Sequence, residues 1–256
     1  MKKRTINRYL KTALPLLSLA FWLGLWWILA TIVDNSYFLP SPSDTLKALF
    51  GLFGSMRFYR VVLASLLRVL LGLSLGIIGG VILAALCHSL PILKSFISPV
   101  VTLIKAMPVA AFIIILWISM RGSALTVFIG FMMVMPIIYQ NTLESFSSLD
   151  KGLLECAFVF ELSRLRKLRL LVFPTFLSYF TPALITSIGL AFKSQIAAEI
   201  IAYTKGSIGQ YISDAKYNLN TPEVFAWALV IVAFSILLES LTKFLLRRTG
   251  RYAKGQ

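Results

Sequence analysis

Ionisable residues embedded in apolar sequence are the first chemistry to weigh. Lys105, Lys193 and Glu199 lie in stretches where charge is scarce, and Arg68 opens another such stretch. A charge in hydrocarbon is costly, so it marks a solute path, a gate or an ion pair. Lys193 follows Pro174 by nineteen residues, which places it about 28 Å along a helix axis at 1.5 Å per residue. Glu199 comes six residues later, a turn of about 600°, so the two side chains do not share a helix face. Two readings stand for Lys193: it faces a central path and attracts anions, or it snorkels to the headgroups. Glu199 is expected to hold the loop that follows it, or to pair with Arg68 or Lys105. Lys105 precedes Met107-Pro108, where a proline removes a backbone donor and loosens the helix, which suits a gate and plain packing equally. Lys105, Met107, Pro108, Lys193 and Glu199 are therefore the candidate path or gate residues. An alternative path is mostly apolar, lined by Met107, Phe112, Trp117 and Phe192.

Other chemistries find little support. The chain has one histidine, and its two cysteines, Cys87 and Cys156, lack metal-ligand spacing. No nucleophile–base pair marks a catalytic site. No glycine is followed by lysine, so a Walker A phosphate loop is absent and any ATP hydrolysis belongs to another chain.

These residues are set in a membrane-type sequence. Of 256 residues, 58% are apolar and 14% charged, with a mean hydropathy of +0.85; soluble domains carry about 25% charge. Uncharged or nearly uncharged runs at 12–33, 69–87, 96–119, 122–143, 170–192 and 222–242 approach the roughly 20 residues a helix needs to cross a bilayer. The expected fold is an all-α integral membrane protein of about six transmembrane helices. The stretch 12–33 is read as a retained first helix, because no small-residue cleavage site precedes Asp34. Gly72, Gly76 and Gly80 form a stripe against which another helix can pack.

The net charge of +15 is unevenly placed. With the N-terminus in the cytoplasm, the inner side receives Lys2, Lys3, Arg4, Arg8 and Lys11, then Lys94, the basic residues of 147–172, and a tail of Lys243, Arg247, Arg248, Arg251 and Lys254. The outer side receives fewer, among them Lys47, Arg57, Arg60, Arg121, Lys205 and Lys216. This bias places both termini in the cytoplasm and argues against nucleic acid as the partner.

The expected organisation follows. Residues 1–11 are a cytoplasmic N-terminus, 12–33 the first span, and 34–61 an outer segment. Within that segment Ser43 or Asp44 caps a short amphipathic helix through Leu46, Leu49, Phe50 and Phe53. Residues 62–242 hold the core with a cytoplasmic loop at 147–172, and 243–256 form a basic tail. In the loop, Leu153, Leu154, Ala157, Phe158 and Leu162 follow a helical period. Residues 203–222 read as an outer loop rich in turn formers.

Glu155-Cys156-Ala157, followed nineteen residues after the glutamate by Phe173-Pro174, resembles the "EAA" loop of ABC-importer permeases. That loop reads Glu-Ala-Ala, three residues, Gly, nine residues, then a hydrophobic residue, any residue and Leu-Pro. Here Cys156 replaces the first Ala, and Glu161 stands at the Gly position, where Gly tolerates positive φ and Glu does not easily. Leu39-Pro40-Ser41-Pro42, Ser65 to Gly72, Met107-Pro108, and Ala198-Glu199-Ile200-Ile201-Ala202 with Gly206 and Gly209 resemble the nitrate/sulfonate/taurine/bicarbonate branch.

The resemblance implies a type I ABC-importer permease fold, with Glu155, Cys156, Ala157, Glu161 and Pro174 coupling the chain to an ATPase. It implies a second copy of the chain, two ATPase subunits that bind ATP and Mg, and an extracytoplasmic solute-binding protein, in a bacterial inner membrane among its lipids. No cofactor is expected in this chain. The solute stays open between small anions (sulfonates, taurine, nitrate, bicarbonate) and pyrimidine-type vitamin precursors or riboflavin-like solutes. An ion-coupled secondary transporter is the competing class.

Overall fold

A computed structural model of the chain describes residues 2–248, with side chains described for 14–246. Residues 249–256 of the basic tail, with Arg251 and Lys254, lie outside the described residues, as do the side chains of Lys2, Lys3, Arg4, Arg8, Lys11, Arg247 and Arg248. The described residues form helices and connecting turns: α1 (Lys2–Val33), α2 (Pro42–Phe53), α3 (Met56–Ser89), α4 (Pro91–Ala106), α5 (Val109–Ser119), α6 (Gly122–Ser147), α7 (Lys151–Val159), α8 (Arg164–Lys167), α9 (Phe173–Ile201), α10 (Ile208–Tyr217) and α11 (Thr221–Arg248). A π-helical turn at Leu168–Val172 joins α8 to α9. Five helical stretches are long and apolar enough to cross a membrane, and a bent pair makes a sixth.

That pair corrects the expectation of one helix over 96–119. The helices Pro91–Ala106 and Val109–Ser119 meet at 108°. The physical reason lies at the joint. Pro108 forces Met107 out of the helical region, and Met107 is extended at φ −73, ψ 135.

Two compact units divide the chain. The first holds the chain up to Tyr59 together with Tyr211–Val230. Here the Trp26 Nε1–H donates to the carbonyl of Pro40 at 3.1 Å, and the Thr221 hydroxyl donates to the carbonyl of Tyr37 at 2.7 Å. Trp227 is buried between Phe58 and Tyr211, with ring centroids 5.4 and 5.9 Å away. Helix α2 forms where amphipathic spacing predicts it, but its N-cap is Ser41, whose Oγ accepts from the Asp44 N–H at 3.1 Å. Pro42 takes the first helical position, where its missing N–H costs nothing, so the cap moves ahead of Ser43 and Asp44. The outer loop expected at 203–222 contains α10, whose apolar positions a turn-former count overlooks.

The second unit holds Arg60–Gln210 and the chain from Ile231 onward. Its centre is α6. A Cβ built on Gly76 would meet Val134 at 2.6 Å, and one on Gly80 would meet Ile138 at 2.9 Å. The numbering rises together on both helices, so α3 and α6 run parallel in close backbone contact, as a small-residue stripe permits. Helices α4, α5 and α9 pack against α6 as well.

Candidate functional site

Helix α7 is held at both ends by its own residues. Asp150 Oδ1 accepts from the N–H groups of Gly152 at 2.7 Å and Leu153 at 3.3 Å, satisfying donors that a helix start leaves free. At the other end the Leu162 N–H donates to Ala157 O at 3.0 Å and the Glu161 N–H donates to Phe158 O at 3.0 Å. This is a Schellman cap with Glu161 at the left-handed position, φ +50. The turn expected to suffer from the missing glycine therefore keeps the glycine conformation, at a strain of about 1–2 kcal/mol.

Between these ends only Ala157 is buried; Leu153, Phe158, Val159 and Phe160 are exposed, the last three by about three quarters. Glu155 and Cys156 also lie on the surface. Lys167 Nζ sits 5.8 Å from the Phe158 ring centroid, within cation–π range.

The segment 147–172, expected to be a loop with a helical period, is largely helical. From Arg164 the chain is helical through to Ile201. Pro174 sits inside this helix, where its ring would meet the carbonyl four residues back. The π turn relieves that conflict by letting the Phe173 N–H reach Leu168 O, five residues back. Pro174 thus marks a widened helical turn rather than the end of a loop.

The charges inside the spans divide into two groups. Glu199 is 1% exposed at the end of α9. It accepts from Ser65 Oγ at 2.8 Å, Arg68 Nη1 at 3.2 Å and the Gly209 N–H at 3.3 Å. Arg68 in turn donates to Ser123 Oγ at 2.9 Å and to the carbonyls of Gly206 and Lys205 at 3.3 and 3.4 Å. Of the two partners considered for Glu199, the carboxylate meets Arg68. The pair ties α3, α6 and the loop after α9 into one polar knot. Gly209 is required there, because a Cβ would collide with Glu199.

Lys105 and Lys193 behave differently. Lys105 is exposed and donates to Gln140 Oε1 on α6. Lys193 is exposed in a helix stretch where Ala191, Phe192, Ser194, Gln195 and Ile196 are buried. Ser178, Pro182 and Thr186 are exposed on the same helix at a spacing of four, but seven residues separate Thr186 from Lys193, and the interval holds the buried Gly189, beside which the Glu239 carboxylate sits. Phe192 is fully buried and does not line an open path. Met107 and Phe112 are half-buried, while Trp117 and Pro108 are exposed.

Residue types alone did not single out Gln195. It lies one turn before Glu199 and fills the space over Gly72 and Gly130. With its amide turned so that the nitrogen donates, it reaches Arg68 O at 3.0 Å and Thr126 O at 3.3 Å. A polar residue within an apolar span was the available signal.

No group of three or more His, Cys, Asp or Glu residues able to hold a metal occurs among the described residues. The arrangement offers a projecting capped helix, a buried polar knot and two exposed lysines, Lys105 and Lys193.

Known proteins are similar to this chain. The taurine transport system permease protein TauC of Escherichia coli (strain K12) is 26% identical over 239 residues, covering 90% of this chain and 86% of that protein. The putative aliphatic sulfonates transport permease protein SsuC of Bacillus subtilis (strain 168) is 26% identical, covering 92% and 84%. A solved amino acid ABC transporter chain has the same fold, with a TM-score of 0.62 at 15% identity, covering 75% of this chain and 94% of that one. Residues 76–251 match the family described as binding-protein-dependent transport system inner membrane component. That match takes in α4 through α11, the capped helix and both lysines, and the chain belongs to this family of membrane transport permeases.

Proposed function

We propose that two copies of this chain form the translocation path of an ATP-driven importer, with an ATPase subunit gripping α7 of each copy. An extracytoplasmic binding protein delivers the solute, and both termini face the cytoplasm. The observation that carries this reading is α7 itself. Its backbone ends are sealed internally, while Leu153, Phe158, Val159 and Phe160 stand unburied. An exposed apolar face on a fixed helix marks an interaction surface. Movement of α7 passes directly into a membrane helix, because only residues 160–163 separate it from the helix starting at Arg164.

The solute is a small anion. Lys193, exposed on α9, supports an oxyanion path. The relatives named for taurine and aliphatic sulfonates support the same class. ATP and Mg bind in the ATPase chains.

The test is co-purification with a candidate ATPase and hydrolysis assays in lipid, with and without loaded binding protein. Stable assembly with hydrolysis stimulated by a sulfonate-loaded binding protein is the expected result. A chain that stays alone and moves solute with an ion gradient would instead identify a secondary transporter. Glu155 is exposed on the docking face, so Glu155→Ala is expected to reduce stimulated hydrolysis with insertion intact; unchanged stimulation would remove Glu155 from the docking role.

A further inference from the structure

Helices α3 and α6 leave a groove of about 680 Å³ on one flank, lined by Leu75, Ile78, Ala124, Val127, Phe128 and Phe131. Its far end closes at Gly79, where a Cβ would meet the Phe131 ring at 3.0 Å. The conduction and docking parts described above do not use it. Its wall is almost wholly apolar, except at one rim, where Ser123 lies beside Met120.

Cations gather at that rim. Ser123 Oγ accepts from Arg68 Nε at 2.9 Å, and the Lys205 carbonyl accepts from Arg68 Nη2 at 3.4 Å. Arg121 is the N-cap residue of α6, two residues before Ser123. The Arg68 guanidinium is already committed to Glu199. The exposed side chains of Arg121 and Lys205 have no ion-pair partner among the described residues.

We propose that this groove binds an anionic diacyl phospholipid, with one acyl chain along α3 and α6 and the phosphate between Arg121 and Lys205. Length supports this occupant. On α6 the lining runs from Ser123 to Phe131, eight residues or about 12 Å of helix, and half of a 30 Å hydrocarbon core is about 15 Å. The groove therefore fits most of one acyl chain within one leaflet, with the cations at its Ser123 end. Charge supports it as well. Two uncompensated cations beside an apolar slot complement a molecule that is anionic at one end and hydrocarbon at the other. A second copy seated on the same groove through a twofold contact would bring another Arg121 and Lys205 against the first pair, setting like charges together.

The test uses the transporter assembled with its partner subunits, delipidated and titrated with phosphatidylglycerol or phosphatidylcholine of identical chains, with bound lipid read by native mass spectrometry. Phosphatidylglycerol is expected to be retained in preference. The double variant Arg121→Gln, Lys205→Gln is expected to lower that retention about thirtyfold, each cation contributing on the order of 1 kcal/mol. Ala124→Phe, at an exposed groove position, is expected to lower retention of both lipids, and inorganic phosphate is expected not to compete. Equal retention of the two lipids by the unaltered protein overturns the proposal without any variant having to fold. Undiminished phosphatidylglycerol in the charge variant, competition by inorganic phosphate, or a polypeptide retained in place of lipid would also overturn it. None of these readouts depends on the identity of the transported solute.

Discussion

Glu161 shows how a single residue can resist its local preference. At φ +50 it holds a conformation that costs a β-carbon-bearing residue about 1–2 kcal/mol and glycine little. The two cap hydrogen bonds at Phe158 and Ala157 keep it there. Glu161→Gly is expected to tighten the cap by about 1 kcal/mol, after glycine's larger unfolded-state entropy is set against the relieved strain. Amide exchange at Leu162 reads this directly, and about fivefold greater protection is expected, whereas Glu161→Ala should give no such gain. Equal protection in the glycine variant would show that the cap carries no strain. Lys193 poses a different question, because its charge is exposed on a helix whose adjacent residues are buried. A unit charge about 4 Å from an anion gives on the order of 4 kcal/mol at an effective dielectric of 20, and exposure of Lys193 to solvent reduces that. Lys193→Met is therefore expected to slow sulfonate uptake about tenfold while ATPase assembly persists. Unchanged uptake with unchanged solute preference would assign Lys193 to the headgroups instead.

Elements depend on what crosses them. Gln195 occupies the point where α3, α6 and α9 meet, above Gly72 and Gly130. A Cβ on Gly130 would overlap its side chain, so Gly130→Ala is expected to destabilise by about 1–3 kcal/mol, the range for overpacking a tight site. Combining it with Gln195→Ala should recover most of that loss, giving a coupling that thermal unfolding in detergent measures. Additive losses would mean that the two residues do not share the space. The glycine stripe that makes room on α3 was legible in the sequence, because a four-residue repeat of glycine on an apolar helix has few other uses. The spans were legible for the same reason, since charge is excluded over helical lengths. The sharp bend at Met107 was not, since a proline predicts loosening without an angle. The π turn ahead of Pro174 and the cap at Ser41 were also hidden, because both settle where a proline's missing donor does least harm. Arg68 was legible as one of two partners for Glu199. Ser65, Ser123 and Gly209 were not, because hydroxyls and glycines are common and only the fold brings them to the carboxylate.

At the scale of the molecule, the unequal spread of basic residues argues for a cytoplasmic α7, and the chain carries its own reporter for that side. Cys156 is exposed on α7 while Cys87 is 1% exposed in α3. A membrane-impermeant maleimide should therefore label one cysteine per chain in inside-out vesicles and none in right-side-out vesicles. The same label tests docking. Cys156 is adjacent to Glu155, so an ATPase subunit seated on α7 should exclude the reagent and slow labelling, while a subunit bound elsewhere should leave the rate unchanged. Cys156→Ser should abolish labelling in both preparations, because burial protects Cys87. Labelling confined to right-side-out vesicles would invert the assigned topology and, with it, the direction in which an ATPase could act on this chain. Labelling from the inside that no ATPase slows would keep the topology and take α7 out of the coupling role.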